Sequence, residues 1–166
     1  MHSSVQPMEA AATDCFALSA FTPAFSPPSR TDQARIADSQ FIQMLNGYRA
    51  SGGLAKIQEL ASLQSSGVVV DILSLSSRIA RRELICFEWQ ALAWLPLFQF
   101  DVATLTPHQG LRPIVLELSC ICDPWELARW FVQPNPWLAE RLPADALHGD
   151  CDAVFDAARA HRFIAN

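Results

Sequence analysis

The chain has 166 residues, of which 51% are hydrophobic, so a wholly disordered protein is excluded and one domain with its own core is expected. The formal net charge of −5 argues against nucleic-acid binding through bulk charge, but it leaves room for a local basic face. The longest apolar run, residues 91–98, contains a proline and is too short to span a membrane. Because the N-terminus also lacks the basic start of a signal peptide, we expect a cytoplasmic protein without a membrane partner.

Residues 1–30 are rich in proline, alanine and serine. Such a composition is typical of a flexible leader. Phe16, Phe21 and Phe25 interrupt it. An alternative is therefore that these three rings dock onto the body of the protein or onto a second subunit.

Residues 31–101 predict three helices followed by a hairpin. The helices are expected over about 32–49, 54–64 and 69–82, where apolar residues recur at helical spacing between Gly- and Ser-rich breaks. At 83–101 the pattern changes to aromatic and β-branched residues on both sides of a short link, which predicts a β-hairpin. This order of elements is that of a winged helix-turn-helix, although the linker between the second and third helices is long for such a motif.

Residues 102–166 predict a C-terminal helical unit. Asp123, followed by Pro124 and by Glu126 three residues after the cap, is typical of a helix start, and Pro134 ends that helix at a sharp corner. The other helices of this unit are expected at 111–121, 144–147 and 153–163. The whole chain is thus predicted to be mainly α, a small helical bundle with one β-hairpin.

A basic group at the end of the third helix is a candidate DNA-binding site. Arg78, Arg81 and Arg82 are spaced i, i+3, i+4, so a continuous helix would place them on one face. With Ser74 and Ser77 they could contact phosphates and base edges in a major groove. The alternative is a solvated helix C-terminus, where cations are favoured by the helix dipole.

The five tryptophans allow two uses, as core residues or as anchors of a partner-binding surface. Most are expected in the core. Trp137, next to Asn135 and beyond the helix break, is the one we expect to be exposed.

Nothing in the sequence predicts enzymatic chemistry. The histidines are scattered and none forms a nucleophile-base pattern with a nearby Cys or Ser, and Asp150, Asp152 and Asp156 are best explained as caps and dipole partners of the last helix. The spacing of Cys120 and Cys122 is one residue too short for a zinc or redox pair. We expect no catalytic residues, no metal and no cofactor.

The C-terminal unit resembles the toxin-binding domain of Xre/MbcA/ParS-type antitoxins. The matching residues are Trp125, Trp130, Pro134, Asn135, Leu138, Pro143, Leu147, Gly149, Asp150, Val154 and Ala157. Upstream, the hairpin resembles one that ends in P-x-F-Q-F-D in antitoxin-like regulators, here Pro96, Phe98, Gln99, Phe100 and Asp101. The chain departs from the family pattern after Leu138, where Ala139 and Glu140 stand in place of the usual glycine.

The resemblance implies an antitoxin that binds and neutralises a toxin enzyme, such as one of the NAD-consuming RES type, and that represses its own promoter as a homodimer. It implies that the C-terminal end reaches into the toxin's substrate cleft. The partner-binding candidates are Trp137, Asn135, Arg159, Arg162 and Phe163. The alternative is a stand-alone DNA-binding regulator or a dimeric adaptor without a toxin.

Overall fold

The computed structural model describes residues 30–62, 72–101, 104 and 106–165. The described part is mainly helical, as predicted, and it contains a three-stranded antiparallel sheet where a two-stranded hairpin alone was predicted. Its elements are α1 (Arg30–Tyr48), β1 (Leu54–Lys56), α2 (Ile57–Ser62), α3 (Ile72–Ala80), β2 (Phe87–Trp89), β3 (Leu92–Pro96), α4 (Leu111–Leu118), α5 (Pro124–Trp130), α6 (Pro143–Ala146) and α7 (Cys151–Ala165). The expected leader and the Ser-rich linker lie outside the described residues, apart from Arg30.

Helix α1 buries one apolar stripe. Phe41, Met44 and Tyr48 are spaced i, i+3 and i+7, and all three are buried. The hydroxyl of Tyr48 donates a 2.6 Å hydrogen bond to the carbonyl oxygen of Ala128 in α5. This bond joins residues 80 positions apart, so the first described helix is tied directly to the C-terminal unit.

The helix predicted over 54–64 is wrong for its first three residues, which form strand β1. Ala55 lies opposite Leu95 of β3, and the N–H of Leu97 donates to the carbonyl oxygen of Gly53. Leu54–Lys56 alone fits either structure, and the backbone partners offered by β3 decide in favour of the strand. Helix α2 follows at once from Ile57.

The predicted hairpin is confirmed, with a tighter turn than expected. Strands β2 and β3 pair antiparallel and are joined by two residues, Gln90 and Ala91, with φ of 49° and 58°. Positive φ at both positions is the type I′ geometry, whose twist matches that of a hairpin. Strand β3 is central, because the order in the sheet is β1-β3-β2.

Two clusters of buried apolar side chains hold these elements together. The main core combines α1 with α4, α5, α6, α7 and strand β2, and its fully buried members include Leu111, Leu118 and Phe131. The main core therefore extends across residue 101, the predicted boundary between two units. The second core consists of Ala55, Leu60, Leu75, Leu84, Leu95 and Phe100.

The predicted caps of the C-terminal helices are largely confirmed. Asp123 and Glu126 form a reciprocal capping box at the start of α5, with bonds of 2.8 and 3.0 Å. At α7 the side chain of Asp150 accepts from the N–H of Ala153, so Asp150 is the capping acid. These local bonds fix where α5 and α7 begin.

Candidate partner-binding surface

The corner after α5, residues 131–143, is organised by Asn135. Its side-chain oxygen accepts from the N–H of Trp137 at 3.0 Å, and its carbonyl oxygen accepts from the N–H groups of Leu138 and Glu140. Asn135 is only 7% exposed. Its side chain is therefore used inside the corner to position the next residues, and the predicted contact of Asn135 with a partner stays a prediction.

Two residues of the corner adopt left-handed backbone conformations without being glycine. Ala139 has φ 53° and Glu140 has φ 62°. These are the positions where the resemblance leads one to expect glycine. The chain makes the turn nevertheless, and each residue carries a strain on the order of 1 kcal/mol.

The corner presents Trp137 to solvent, and the prediction that it is the exposed tryptophan is confirmed. Its neighbour Leu138 is 2% exposed and anchors the turn in the main core, while Trp137 is 54% exposed. Trp130 is buried, and Trp89, Trp94 and Trp125 are half-buried around the ring of Phe41. Aromatic side chains that remain exposed beside a well-packed core are typical anchors of protein interfaces.

The end of α7 carries a second exposed apolar group. Phe163 is 85% exposed and Ile164 is 66% exposed. The buried residues of this helix are Val154, Ala157 and Ala158, so its last two turns contain no fully buried residue. Ile164 was missed from the sequence, although a bulky apolar residue next to Phe163 at a helix end is a usable signal.

The two arginines predicted near Phe163 differ in their surroundings. Arg162 forms a 3.1 Å ion pair with Glu117 of α4 and thereby braces the end of α7. Arg159 is exposed and lies 3.9 Å from Asp156 one turn earlier. Exposed pairs at that distance contribute little stability, so Arg159 is the better placed of the two for contact with an acidic partner.

The corner lies beside the start of α7, whereas Phe163 lies at the end of that helix. Arg141, just after Glu140, reaches within 3.9 Å of Asp150, the residue that caps the start of α7. Phe163 is thirteen residues later, which corresponds to roughly 20 Å of helix. A partner that contacts both groups must therefore cover an extended surface.

The predicted basic face on the third helix is not formed. Helix α3 ends at Ala80, and Arg82 has φ 56°. The N–H of Glu83 donates to the carbonyl oxygen of Arg78, and the N–H of Arg82 to that of Ile79. This is the Schellman pattern of a helix C-terminus, with Arg82 in the position that glycine usually takes, so the three arginines do not share one helix face.

The predicted DNA-binding residues are consequently dispersed. Arg78 lies 3.9 Å from the carboxylate of Glu83, and Arg82 donates a 3.4 Å hydrogen bond to the carbonyl oxygen of Ser119. Arg81 is exposed, as are Ser74 and Ser77 on α3. Leu73, which the sequence analysis did not single out, is 80% exposed on the same helix.

Comparison with protein-family models, with curated proteins and with solved structures finds no match to this chain. Within the described ranges, no helix is both long and apolar enough to cross a membrane. The same residues contain no cluster of three or more His, Cys, Asp and Glu side chains able to hold a metal ion.

Proposed function

We propose that this protein is antitoxin-like: it binds a toxin enzyme, such as one of the RES type, and neutralises it by covering the toxin's active site. The contact surface is formed by the C-terminal segment 123–166. The observation that carries the proposal is the exposure of Trp137 on a corner whose residues Phe131 and Leu138 are buried in the main core.

The surface has the composition of an interface centre with a charged rim. Trp137 and Phe163 supply large apolar area, and hot-spot residues of interfaces are enriched in aromatic side chains. Arg159 is exposed beside Phe163 and supplies a donor for a carboxylate or phosphate. An exposed aromatic ring and an exposed cation at a helix end are suited to a concave partner such as an enzyme cleft.

Co-expression with the product of the adjoining gene, followed by affinity capture of this protein, tests the proposal. In Trp137→Ala we expect the complex to weaken at least about thirtyfold, because a hot-spot aromatic contributes about 2 kcal/mol or more. Leu73→Ala is the matched control, since Leu73 is an exposed apolar residue on α3, outside the proposed contact segment 123–166. Equal capture by the parent and by Trp137→Ala would contradict the proposed contact.

Removal of residues 159–166 tests whether the exposed residues at the end of α7 contact the toxin. The last buried residue of α7 is Ala158, so the shortened chain keeps the fully buried residues of that helix and loses the ion pair of Arg162 with Glu117 and the ring contact of His161 with Trp130. We expect this variant to remain folded by circular dichroism and to lose the complex. Retention of the complex would restrict the contact to the corner.

A second candidate function, regulation of transcription, is favoured by the arrangement of the N-terminal elements. Helices α2 and α3 precede the hairpin, and β1 pairs with β3, so the sheet packs beside α3 through the second core. This order fits a winged helix-turn-helix with α3 as its recognition helix, and Ser74, Ser77 and Arg81 are exposed for contacts with DNA. The protein would then repress its own promoter, with or without a toxin partner.

An electrophoretic mobility shift with the upstream region of the protein's own gene tests this second function. Arg81→Ala is expected to weaken binding and to lower the salt dependence by roughly one unit of slope, the effect of one lost phosphate contact. Arg112→Ala, an exposed arginine on α4, is the control. No shift at low salt for the parent protein would remove the repressor function.

Dimerisation is proposed to use the outer face of α1. Ile42 is 56% exposed and Leu45 is 36% exposed, and their spacing of three places them side by side on the helix. Light scattering should give twice the chain mass of 18.4 kDa for the parent and for Leu116→Glu, and one chain mass for Ile42→Glu. A monomeric parent would rule out the dimer.

A further inference from the structure

A cavity of about 240 Å³ lies where α3, α4 and α5 meet the segment that leads into β2. We refer to it as the junction cavity; Ile79, Arg82, Cys86, Val115, Ser119 and Leu127 are among its lining residues. Its walls come from both halves of the chain, and most of them are apolar. An apolar cavity of roughly 150 Å³ already holds a benzene molecule, so this one has room for a substituted ring.

The polar end of the junction cavity is formed by Arg82. The residue is held in a left-handed conformation (φ 56°), and its guanidinium donates a 3.4 Å hydrogen bond to the carbonyl oxygen of Ser119, which is longer than usual for such bonds. The remaining donors of a guanidinium match the two oxygens of a carboxylate. Strained residues at the edge of a cavity are frequently functional.

Two thiols also line the junction cavity. Burial, and after it the charges of Glu126 and Asp123, raise the pKa of the Cys122 thiol. Burial also raises the pKa of the Cys86 thiol. Both thiols are therefore neutral at pH 7, and Arg82 is the one charged residue that the described part of the chain contributes to the cavity wall. An anionic ligand is thus oriented with its charge at Arg82 and its ring among the apolar lining residues.

The geometry points to a binding site for a small aromatic carboxylate in the junction cavity. The carboxylate pairs with Arg82, and the ring occupies the apolar space between α3 and α5. Such a ligand contacts α3 and the C-terminal helices simultaneously, so its binding links the region proposed for DNA with the region proposed for the partner. The site itself depends on neither proposed function.

Ligand-observed fluorine NMR of the full-length protein tests this site with 4-fluorophenylacetate and with its neutral analogue 4-fluorobenzyl alcohol. We expect the acid to bind and the alcohol to bind at least about tenfold more weakly, because a charge-assisted hydrogen bond is lost. Arg82→Gln should weaken binding of the acid by a similar factor. Arg81→Gln, the adjacent exposed arginine, should bind like the parent.

Two further measurements guard against an indirect effect of the Arg82 change. Ala80→Leu places a larger side chain at the edge of the junction cavity and should abolish binding, while Ser76→Leu, an exposed position of α3 that does not line it, should not. In the parent, saturating acid should slow alkylation of Cys86 and Cys122 by N-ethylmaleimide and leave the exposed Cys120 unchanged. Absence of binding at millimolar acid, equal binding of acid and alcohol, or binding that survives both Arg82→Gln and Ala80→Leu would overturn the assignment.

Discussion

The main core and the second core differ in how many elements they join. The main core combines α1 with four C-terminal helices and strand β2, and its central residues are inaccessible to solvent. The second core has six buried residues, which come from β1, α2, α3, β3 and the neighbouring segments. Because regions with fewer buried contacts open at lower free energy, the corner with Trp137 is held by the firmer frame, and α3 by the weaker one.

Matched leucine truncations would break or support this comparison. Leu118→Ala in the main core should lower the free energy of unfolding by about 3–5 kcal/mol, because it leaves a cavity among rigid neighbours. Leu75→Ala in the second core should cost about 2–3 kcal/mol, because α3 can adjust toward the gap. Urea denaturation measures both values, and a larger loss in Leu75→Ala would show that the second core is the firmer one.

The connection between the two cores depends on Gln99. Its fully buried side chain accepts a 2.8 Å hydrogen bond from the N–H of Ile85 and donates a 3.0 Å bond to the carbonyl oxygen of the same residue. Gln99→Ala should destabilise the protein by about 2–4 kcal/mol, because it leaves both backbone groups buried without their partner. Hydrogen exchange should show faster exchange at the Ile85 amide, whereas unchanged protection there would contradict this role.

Substitution by glycine should stabilise the protein at residues with positive φ and destabilise it at a helical residue. Ala139→Gly should stabilise the corner, and Arg82→Gly the end of α3, each by roughly 0.5–1 kcal/mol, because glycine adopts positive φ without strain. Ala153→Gly in α7, where the backbone is helical, should instead destabilise by roughly 1 kcal/mol. Thermal denaturation distinguishes the signs, and a lower melting temperature for Ala139→Gly would contradict the assigned strain.

The smallest effect is expected from pH. Burial, and second the charge of His148, lower the pKa of His108, whose ring lies 5.0 Å from that of His148 and accepts a hydrogen bond from the N–H of Gly110. The folded state thus binds fewer protons at His108 than the unfolded state. The contribution of His108 to the free energy of unfolding is fully present above the pKa of the unfolded state, near 6.5. It is lost as the pH falls from there through the lower pKa of the folded state.

His108→Asn tests this dependence, because the asparagine side-chain oxygen can still accept the hydrogen bond from the N–H of Gly110, whereas asparagine does not titrate. The loss of stability between pH 7 and pH 5 should become smaller in this variant, as measured by urea denaturation at each pH. His148→Asn should reduce the loss in part, since it removes the neighbouring charge. A pH profile identical in the parent and His108→Asn would exclude the histidine as its cause.

Local sequence signals identified the elements whose start or turn is encoded by neighbouring residues. Asp123 and Glu126 encode the start of α5, and Pro134 with Asn135 encodes the corner, because each bond in those motifs joins residues at most a few positions apart. The exposure of Trp137 could be predicted for the same reason. Trp137 follows the helix break at Pro134, so it does not continue the helical spacing of the buried residues of α5.

Tertiary structure decided the features whose partners are distant in sequence. Leu54–Lys56 became a strand because the distant strand β3 supplied the hydrogen bonds, and Arg82 at the end of α3 donates to the carbonyl oxygen of Ser119, 37 residues later. The joining of α1 to the C-terminal helices through Tyr48 likewise requires Ala128. The sequence by itself determined most of the helical segments, where the chain turns and that Trp137 stays exposed, because each of these depends on neighbouring residues. Only the fold determined the exposure of other apolar residues such as Leu73 and Ile164, because burial depends on which distant element packs against each face.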